Sequence, residues 1–106
     1  MMEVELKKHR WGERAIVTMD DGSVVEVMRF DSAGTDHKHE VDEFAECIRG
    51  RGFIYTDDLE SHPNGYFGVQ ASPHGFPTRI PAGVMHHMDP DRYKDEPFEF
   101  IIRYAT

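Results

Sequence analysis

Cysteine is nearly absent from this sequence: Cys47 is the single cysteine among 106 residues. One cysteine cannot form an internal disulfide, and disulfides are typical of oxidising compartments, so we expect a reducing, cytoplasmic environment. Long apolar runs are also lacking, and no stretch approaches the roughly eighteen residues that a membrane span requires. No basic and then apolar leader precedes the first charged segment. We therefore expect no membrane partner.

Positive charge is scarce relative to negative charge. Lysine and arginine together number 12, against 20 aspartates and glutamates, which gives a formal charge of -8 at pH 7. A surface of this sign repels the phosphates of nucleic acids, so we expect no nucleic-acid partner. A chain of this length forms one modest core, and we expect a single domain over residues 1–106.

Helical periodicity is missing, whereas short segments rich in β-branched and aromatic residues recur between turn residues. The dipeptide Asp21-Gly22, which adopts positive φ at little cost, separates two such segments. We predict strands over residues 14–19, 23–30, 44–49, 52–57, 65–71, 78–88 and 98–105. Short strands at this spacing indicate an all-β sandwich or barrel.

One stretch, "TDHKHEVDEF" (35–44), concentrates histidines and carboxylates. In an extended run, residues two apart share a face, so His37, His39 and Glu43 are expected to point the same way. The same face carries three small or apolar residues, Val41, Ala45 and Cys47, as the interior of a narrow barrel requires. Burying a carboxylate is costly, and a divalent cation held by imidazole and carboxylate removes that cost.

A second stretch, "GFPTRIPAGVMH" (75–86), has the pattern G-x5-P-x-G-x2-H and ends at His86. Together with H-x-H-x3-E-x6-G over residues 37–50, it resembles the two signature motifs of the cupin family. Both motifs arise in order by chance in about one chain in a million at background composition. Two positions depart from the family pattern: Asp31 stands where the first motif usually opens with glycine, and Pro90 where the second often ends in asparagine.

The resemblance implies a double-stranded β-helix, or jelly-roll barrel, with one divalent metal ion inside. It implies the ligands His37, His39, Glu43 and His86, with a turn at Pro81 and Gly83 that aims the last histidine. Three imidazoles and one carboxylate without a thiolate suit iron(II), nickel, manganese or zinc equally well. Four protein ligands leave one or two metal positions open, unlike a structural zinc site, which is usually closed.

These features favour a metal-dependent enzyme that acts on a small-molecule substrate. The leading interpretation is an oxidoreductase, namely a dioxygenase or other oxygenase. A metal-assisted isomerase or lyase of a sugar or small organic acid is the first alternative, with Tyr55 or His74 as its proton-transfer group. A non-catalytic metabolite-binding cupin is the second, because fold alone does not select the reaction.

Several side chains receive secondary assignments. Residues that could meet a substrate are Arg29, Tyr55, Gln70, Met88 and Arg103. Cys47 either lines the cavity or fills space as a small buried thiol, and the second interpretation is favoured. His87 is expected to point away from His86. The resemblance also implies a homodimer formed through the outer face of one sheet, where Phe44 and Ile48 are expected.

Overall fold

The computed structural model describes residues 2–57 and 67–105, and these residues form nine β-strands and no helix. The strands are β1 Glu3–His9, β2 Gly12–Thr18, β3 Val24–Phe30, β4 Glu43–Arg49, β5 Gly52–Thr56, β6 Phe67–Ala71, β7 Thr78–Ile80, β8 His86–Asp89 and β9 Phe98–Tyr104. Within the described ranges, no helix is long and apolar enough to cross a membrane. The prediction of an all-β fold is confirmed.

The strands form two antiparallel sheets. The larger sheet has the order β1-β2-β3-β9-β4-β7, and the smaller has the order β6-β5-β8. Strands that are distant in the sequence are therefore neighbours, since β9 pairs with both β3 and β4. Two sheets with such long-range pairing correspond to the jelly-roll arrangement, which encloses an interior between the sheets.

The hydrophobic core follows the two-residue period of the strands. On β9, Phe98, Phe100 and Ile102 are fully buried and alternate with more exposed residues. Ile54 of β5 and Met88 of β8 close the core from the smaller sheet. Burying each of these side chains contributes about 1.5–3 kcal/mol relative to leaving it exposed. The interior is thus packed by both sheets around β9.

With one exception, each predicted strand matches a strand of the structure to within two residues at its described ends. The predicted strand 78–88 is wrong as a single element, because it divides into β7 and β8 around a turn. Between β7 and β8, Pro81 has no N–H for a strand ladder, and Gly83 adopts a φ of +81°. The chain therefore cannot continue as a strand from β7 to β8. The beginning of the predicted strand 65–71 lies outside the described residues, which resume at β6.

The sequence analysis missed β1. All seven residues of this strand are exposed, so it lacks the apolar alternation on which strand prediction depends. It forms through pairing with β2, from Glu3 opposite Thr18 to His9 opposite Gly12. This strand is thus determined by its neighbour rather than by its own composition.

Candidate metal centre

The two histidine-bearing motifs meet through their main chains. The N–H of His37 donates to the carbonyl oxygen of His86 at 3.0 Å, and the N–H of His86 donates to that of His37 at 2.8 Å. This reciprocal pair is an isolated antiparallel bridge between residues 49 positions apart in the sequence. The backbone therefore brings the last predicted ligand beside the first.

The first motif approaches this bridge as a loop rather than as one long strand. Outside the bridge at His37, residues 31–42 form no strand, and β4 begins at Glu43. The expectation that Val41 faces the interior is wrong, since this side chain is 41% exposed. Ala45 and Cys47, which follow within β4, are buried as predicted. Alternation thus holds only where the ladder with β9 enforces it.

A turn at Pro81 and Gly83 positions the start of β8, as the motif resemblance implies. The N–H of Gly83 donates to the carbonyl oxygen of His39 at 2.8 Å, which ties the turn to the first motif. The carboxylate of Asp42 accepts the N–H of Ala82 at 2.9 Å and also binds the guanidinium of Arg79. These contacts hold the second motif against the first from the outer side.

The four predicted ligands lie together. Each of His37, His39, Glu43 and His86 offers one nitrogen or oxygen atom to a group whose members all lie within 4.8 Å of one another. Oε1 of Glu43 lies 3.1 Å from Nε2 of His39 and 3.3 Å from Nε2 of His86. The side chains of Glu43 and His86 are almost completely buried, while that of His39 is 30% exposed. His37 is half-buried as well, so the cluster is open to solvent on the side of His37 and His39.

Main-chain carbonyl groups orient two of the imidazoles. Nδ1 of His37 lies 2.8 Å from the carbonyl oxygen of Thr35, and Nδ1 of His86 lies 2.9 Å from that of Val84. A carbonyl oxygen only accepts hydrogen bonds, so each Nδ1 carries the proton and donates it. The Nε2 lone pairs of both rings are then free for a ligand, as in metal-binding histidines.

The cluster fits a metal ion by two further tests. Nε2 of His39, Nε2 of His86 and Oε2 of Glu43 are buried without hydrogen-bond partners. The short His–Glu contacts are therefore close approaches without hydrogen-bond geometry, which is how ligands around one ion are arranged. For metal–ligand bonds of about 2.1 Å, neighbouring ligand atoms lie about 3.0 Å apart at right angles and about 3.4 Å apart in a tetrahedron. The two observed contacts lie in this range.

Electrostatics separates two of the histidines. Burial lowers the pKa of His37 below its usual 6.5, so this ring remains neutral and able to bind a cation. Burial opposes protonation of His86 as well, but the carboxylate of Glu43 stabilises its charged form and raises its pKa. Protons and a metal ion therefore compete more directly at His86 than at His37.

A cavity of about 360 Å³ adjoins the cluster. The residues that contribute to its wall include His37, His39, Trp11, Arg14, Met28, Phe30, Met88 and Tyr104. A volume at the lower end of the range for ligand pockets suits a small molecule. A separate cleft of about 440 Å³ contains none of the four predicted ligands, although it is the larger of the two. The chemistry of this protein therefore points to the smaller cavity.

Of the five predicted substrate-contacting residues, Met88 lines the cavity beside the cluster. Arg29 lies elsewhere and contacts Asp31 at 3.2 Å. Tyr55 stacks on His87 with ring centroids 5.2 Å apart. The other two lie apart as well: Gln70 lines the larger cleft, and Arg103 is exposed beside Glu46. Substrate contact by these five residues stays a prediction. Of the five, Met88 lines the cavity beside the cluster.

Cys47, His74 and His87 lie away from the cavity wall. The thiol of Cys47 donates to the carbonyl oxygen of Arg49 at 3.4 Å, and its side chain packs into the core, as the space-filling interpretation expects. His74 is exposed and lines the larger cleft. His87 points away from His86, because its Nδ1 contacts Asp36 at 2.6 Å.

Two polar residues of the cavity wall, Arg14 and Tyr104, were missed, together with the buried Glu26 that contacts both. Tyr104 packs edge-on against the ring of His39, with centroids 4.9 Å apart, and its hydroxyl donates to Oε2 of Glu26 at 2.5 Å. Nη1 of Arg14 lies 3.6 Å from Oε1 of the same carboxylate. Parity offered one signal, since Glu26 shares its alternation on β3 with the apolar residues Met28 and Phe30.

Comparisons with known proteins support the fold. No family model matches the sequence, and no curated protein matches it either. Drosophila melanogaster CENP-C, in a structure bound to CAL1, superposes with a TM-score of 0.78 at 9% identity, over 97% of this chain and 81% of that chain. A structure of the CENP-C cupin domain gives a TM-score of 0.76.

Two longer proteins contain a similar unit. A variant of Bacillus subtilis oxalate decarboxylase matches with a TM-score of 0.73 at 18% identity, over 96% of this chain and 27% of that chain. The capsular polysaccharide assembling protein CapF of Staphylococcus aureus matches with a TM-score of 0.75 at 16% identity, over 98% of this chain and 29% of that chain. The oxalate decarboxylase has Mn(II) centres. This chain thus spans less than a third of either protein.

The fold of this chain is the cupin fold, an all-β jelly roll. The prediction drawn from the two motifs is confirmed at this level by the sheet arrangement and by the cupin domains that superpose on it. The buried His/His/Glu/His cluster is a potential metal-binding site within that fold. Identities this low support the fold alone.

Proposed function

We propose that this protein is a metal-dependent enzyme that acts on a small molecule. The leading reaction class is oxygenase chemistry, and a dioxygenase is the first candidate. The observation that carries the proposal is the set of buried, unpartnered ligand atoms of His39, Glu43 and His86 beside a cavity of about 360 Å³. With His37 they would hold one divalent ion. Such an ion would supply Lewis acidity and, if it is iron or manganese, one-electron redox chemistry.

The chain itself contributes orientation and exclusion of water. The carbonyl groups of Thr35 and Val84 hold the His37 and His86 rings with their Nε2 atoms toward the cluster. The buried side chains of Met28 and Met88 form an apolar wall of the cavity. A substrate seated there would be shielded on that side from bulk water, which strengthens electrostatic interactions within the site.

The identity of the metal is open among iron, nickel, manganese and zinc. The Mn(II) centres of the structurally similar oxalate decarboxylase support manganese as one candidate. Elemental analysis of protein purified without added metal measures which ion is retained. We expect about one divalent ion per chain in the wild type and little in His86→Ala. His87→Ala is a matched control, because the neighbouring imidazole points away from the cluster. Full occupancy in His86→Ala would contradict the assignment.

Oxygen uptake tests the reaction class. Protein loaded separately with Fe(II), Mn(II), Ni(II) or Zn(II) would be mixed with a panel of enolisable and catecholic small molecules, with anaerobic and metal-free controls. An oxygenase consumes dioxygen in proportion to product, only with a redox-active ion, and loses this activity in His86→Ala. Equal turnover with Zn(II) in the absence of dioxygen would contradict oxygenase chemistry.

A metal-assisted isomerase or lyase is the second candidate. It is supported by Tyr104, which lines the cavity and whose hydroxyl donates to Glu26. Burial raises the pKa of Tyr104, and so does its hydrogen bond to that carboxylate, so the phenol stays neutral. The hydrogen-bonded pair would relay a proton between the substrate and the carboxylate of Glu26. Exchange of substrate hydrogen with solvent deuterium, followed by NMR without dioxygen, would favour this class. Metal-dependent ligand binding without any turnover would instead indicate a binding protein.

We also propose a homodimer formed through the outer face of the six-stranded sheet. Phe44 and Ile48 are 41% and 39% exposed on β4, although both are large and apolar. Burial of such side chains against a second copy would be favourable. Sedimentation equilibrium of the wild type and of Phe44→Ser tests this proposal, and a monomeric wild type at micromolar concentration would contradict it.

A further inference from the structure

The wall of the cavity beside the cluster contains an arginine that lacks part of its hydrogen-bond partners. Arg14 lines this cavity, and its side chain is 27% exposed. Its Nε is buried without a hydrogen-bond partner. Its Nη1 lies 3.6 Å from Oε1 of Glu26, an ion-pair distance that is too long for a hydrogen bond. The guanidinium therefore retains N–H donors for another acceptor.

Glu26 is held by a second residue instead. Its Oε2 accepts the hydroxyl of Tyr104 at 2.5 Å, and this contact joins residues 78 positions apart. The carboxylate is thus fixed on β3 by a donor from β9, while Arg14 reaches it from β2. Because Tyr104 already holds the carboxylate of Glu26, this carboxylate attracts the guanidinium of Arg14 but does not accept all of its N–H donors.

The charges inside the barrel indicate the charge of the ligand that would bind Arg14. Among the described residues, the buried carboxylates of Glu26 and Glu43 carry two formal negative charges next to residues of the cavity wall, and Arg14 in that wall carries one formal positive charge. Without a metal ion the interior is negative by one unit. A divalent cation changes the balance to one positive unit, which a single monovalent anion neutralises. A buried net charge is costly unless it is compensated.

We propose that Arg14 binds the carboxylate of a small monoanionic ligand of the cavity. The planar guanidinium matches a carboxylate in shape and charge, and its unpartnered donors supply the hydrogen bonds. Met28, Phe30 and Met88 form the apolar part of the same wall, so the ligand has a short apolar body. Glu26, 3.6 Å from Nη1 of Arg14, offsets part of the charge of the guanidinium and competes with the ligand for it. This inference rests on the proposed metal-dependent function, since the cation supplies the positive balance.

The test measures binding rather than turnover. Zinc-loaded protein, which is redox-inert, would be titrated calorimetrically with propionate, with the neutral isostere propionamide and with inorganic phosphate at constant ionic strength. Zinc affinity would be measured separately for every variant, and thermal unfolding would confirm that each variant folds. Arg92→Gln is a matched control, because Arg92 is exposed and its guanidinium donates to the hydroxyl of Tyr93, away from this cavity.

We expect propionate to bind the zinc-loaded wild type and Arg92→Gln equally, and propionamide to bind neither. Arg14→Gln should weaken propionate at least tenfold while its zinc affinity stays within about threefold. Glu26→Gln should bind propionate at least as tightly as the wild type, because it removes the competing negative charge. A purely structural network would instead lose binding in both variants.

Other results overturn the inference in distinguishable ways. Unchanged propionate affinity in Arg14→Gln, with zinc bound, would refute carboxylate binding by Arg14 and leave the metal site standing. Weaker propionate binding in Glu26→Gln would refute the charge balance. Equal or tighter binding of phosphate would refute the carboxylate class. Failure of the wild type to bind zinc would overturn the proposed function together with this inference.

Discussion

Replacing Glu43 with glutamine should have opposite effects on the metal-free and the metal-loaded protein. In the metal-free protein the Glu43 carboxylate is 2% exposed, and its Oε2 has no hydrogen-bond partner. An unsatisfied buried polar group costs about 1–3 kcal/mol, and more if it is charged. Glutamine has the same shape, is neutral, and can donate an N–H to the lone pair of an adjacent Nε2. We therefore expect metal-free Glu43→Gln to be at least as stable as the wild type.

The metal-loaded protein should respond in the other direction. Loss of a group that merely supports a ligand weakens metal binding about 10–100-fold, so we expect removal of the anionic ligand itself to weaken it about 100-fold or more. At a free metal concentration of about 100 times the wild-type Kd, binding stabilises the wild type by about 2.7 kcal/mol and such a variant by about 0.4 kcal/mol. For a chain of this size, the difference corresponds to roughly 9–18 °C in Tm.

The assay is thermal unfolding at pH 8 with chelator and with metal. The pH matters because Glu43 raises the pKa of His86 above its usual 6.5. A raised folded-state pKa contributes stability at pH values below the unfolded-state pKa, and this contribution is lost as pH rises through the folded-state value. At pH 8 the pairing of imidazolium with carboxylate therefore weighs least. Glu46→Gln is the matched control, because Glu46 is exposed on the same strand.

Two results would refute this reasoning. An equal metal-induced rise in Tm for Glu43→Gln and the wild type would show that Glu43 is not a ligand. A metal-free variant that is less stable than the wild type by more than about 1 kcal/mol would show that the carboxylate is compensated by other interactions.

Three further predictions concern pH, reactivity and packing. Zinc binding should release a proton from His86, and zinc affinity should fall as the pH drops through the raised pKa of this residue. Calorimetry in buffers of different ionisation enthalpy measures the released proton. A zinc affinity that is flat from about pH 7 to about pH 5 would contradict this prediction. Burial raises the pKa of Cys47 to about 11, so iodoacetamide should alkylate it slowly at pH 8 in the native protein and rapidly in urea, and equal rates would argue against its burial. Phe100→Ala should cost about 3–5 kcal/mol in urea unfolding because this ring is fully buried, whereas the outward-facing Ile101→Ala should cost less.

The sequence predicted the features that depend on local composition. Alternating apolar residues identified β9 and β3, and a glycine after aspartate identified the turn between β2 and β3. The four predicted ligands occur in two motifs whose spacing is visible without any structure, and they do lie together in the fold. Composition could not identify β1, because none of its side chains is buried.

Tertiary structure decided which polar side chains share the cavity. Arg14, Glu26 and Tyr104 lie on three different strands, and they meet because β2, β3 and β9 pair in one register. A shift of one residue in such a ladder turns every side chain of a strand to the opposite face. The bridge between His37 and His86 likewise depends on where the two loops meet. The sequence by itself thus determined the chemical groups of the metal site, whereas only long-range pairing decided their meeting and the arginine beside them.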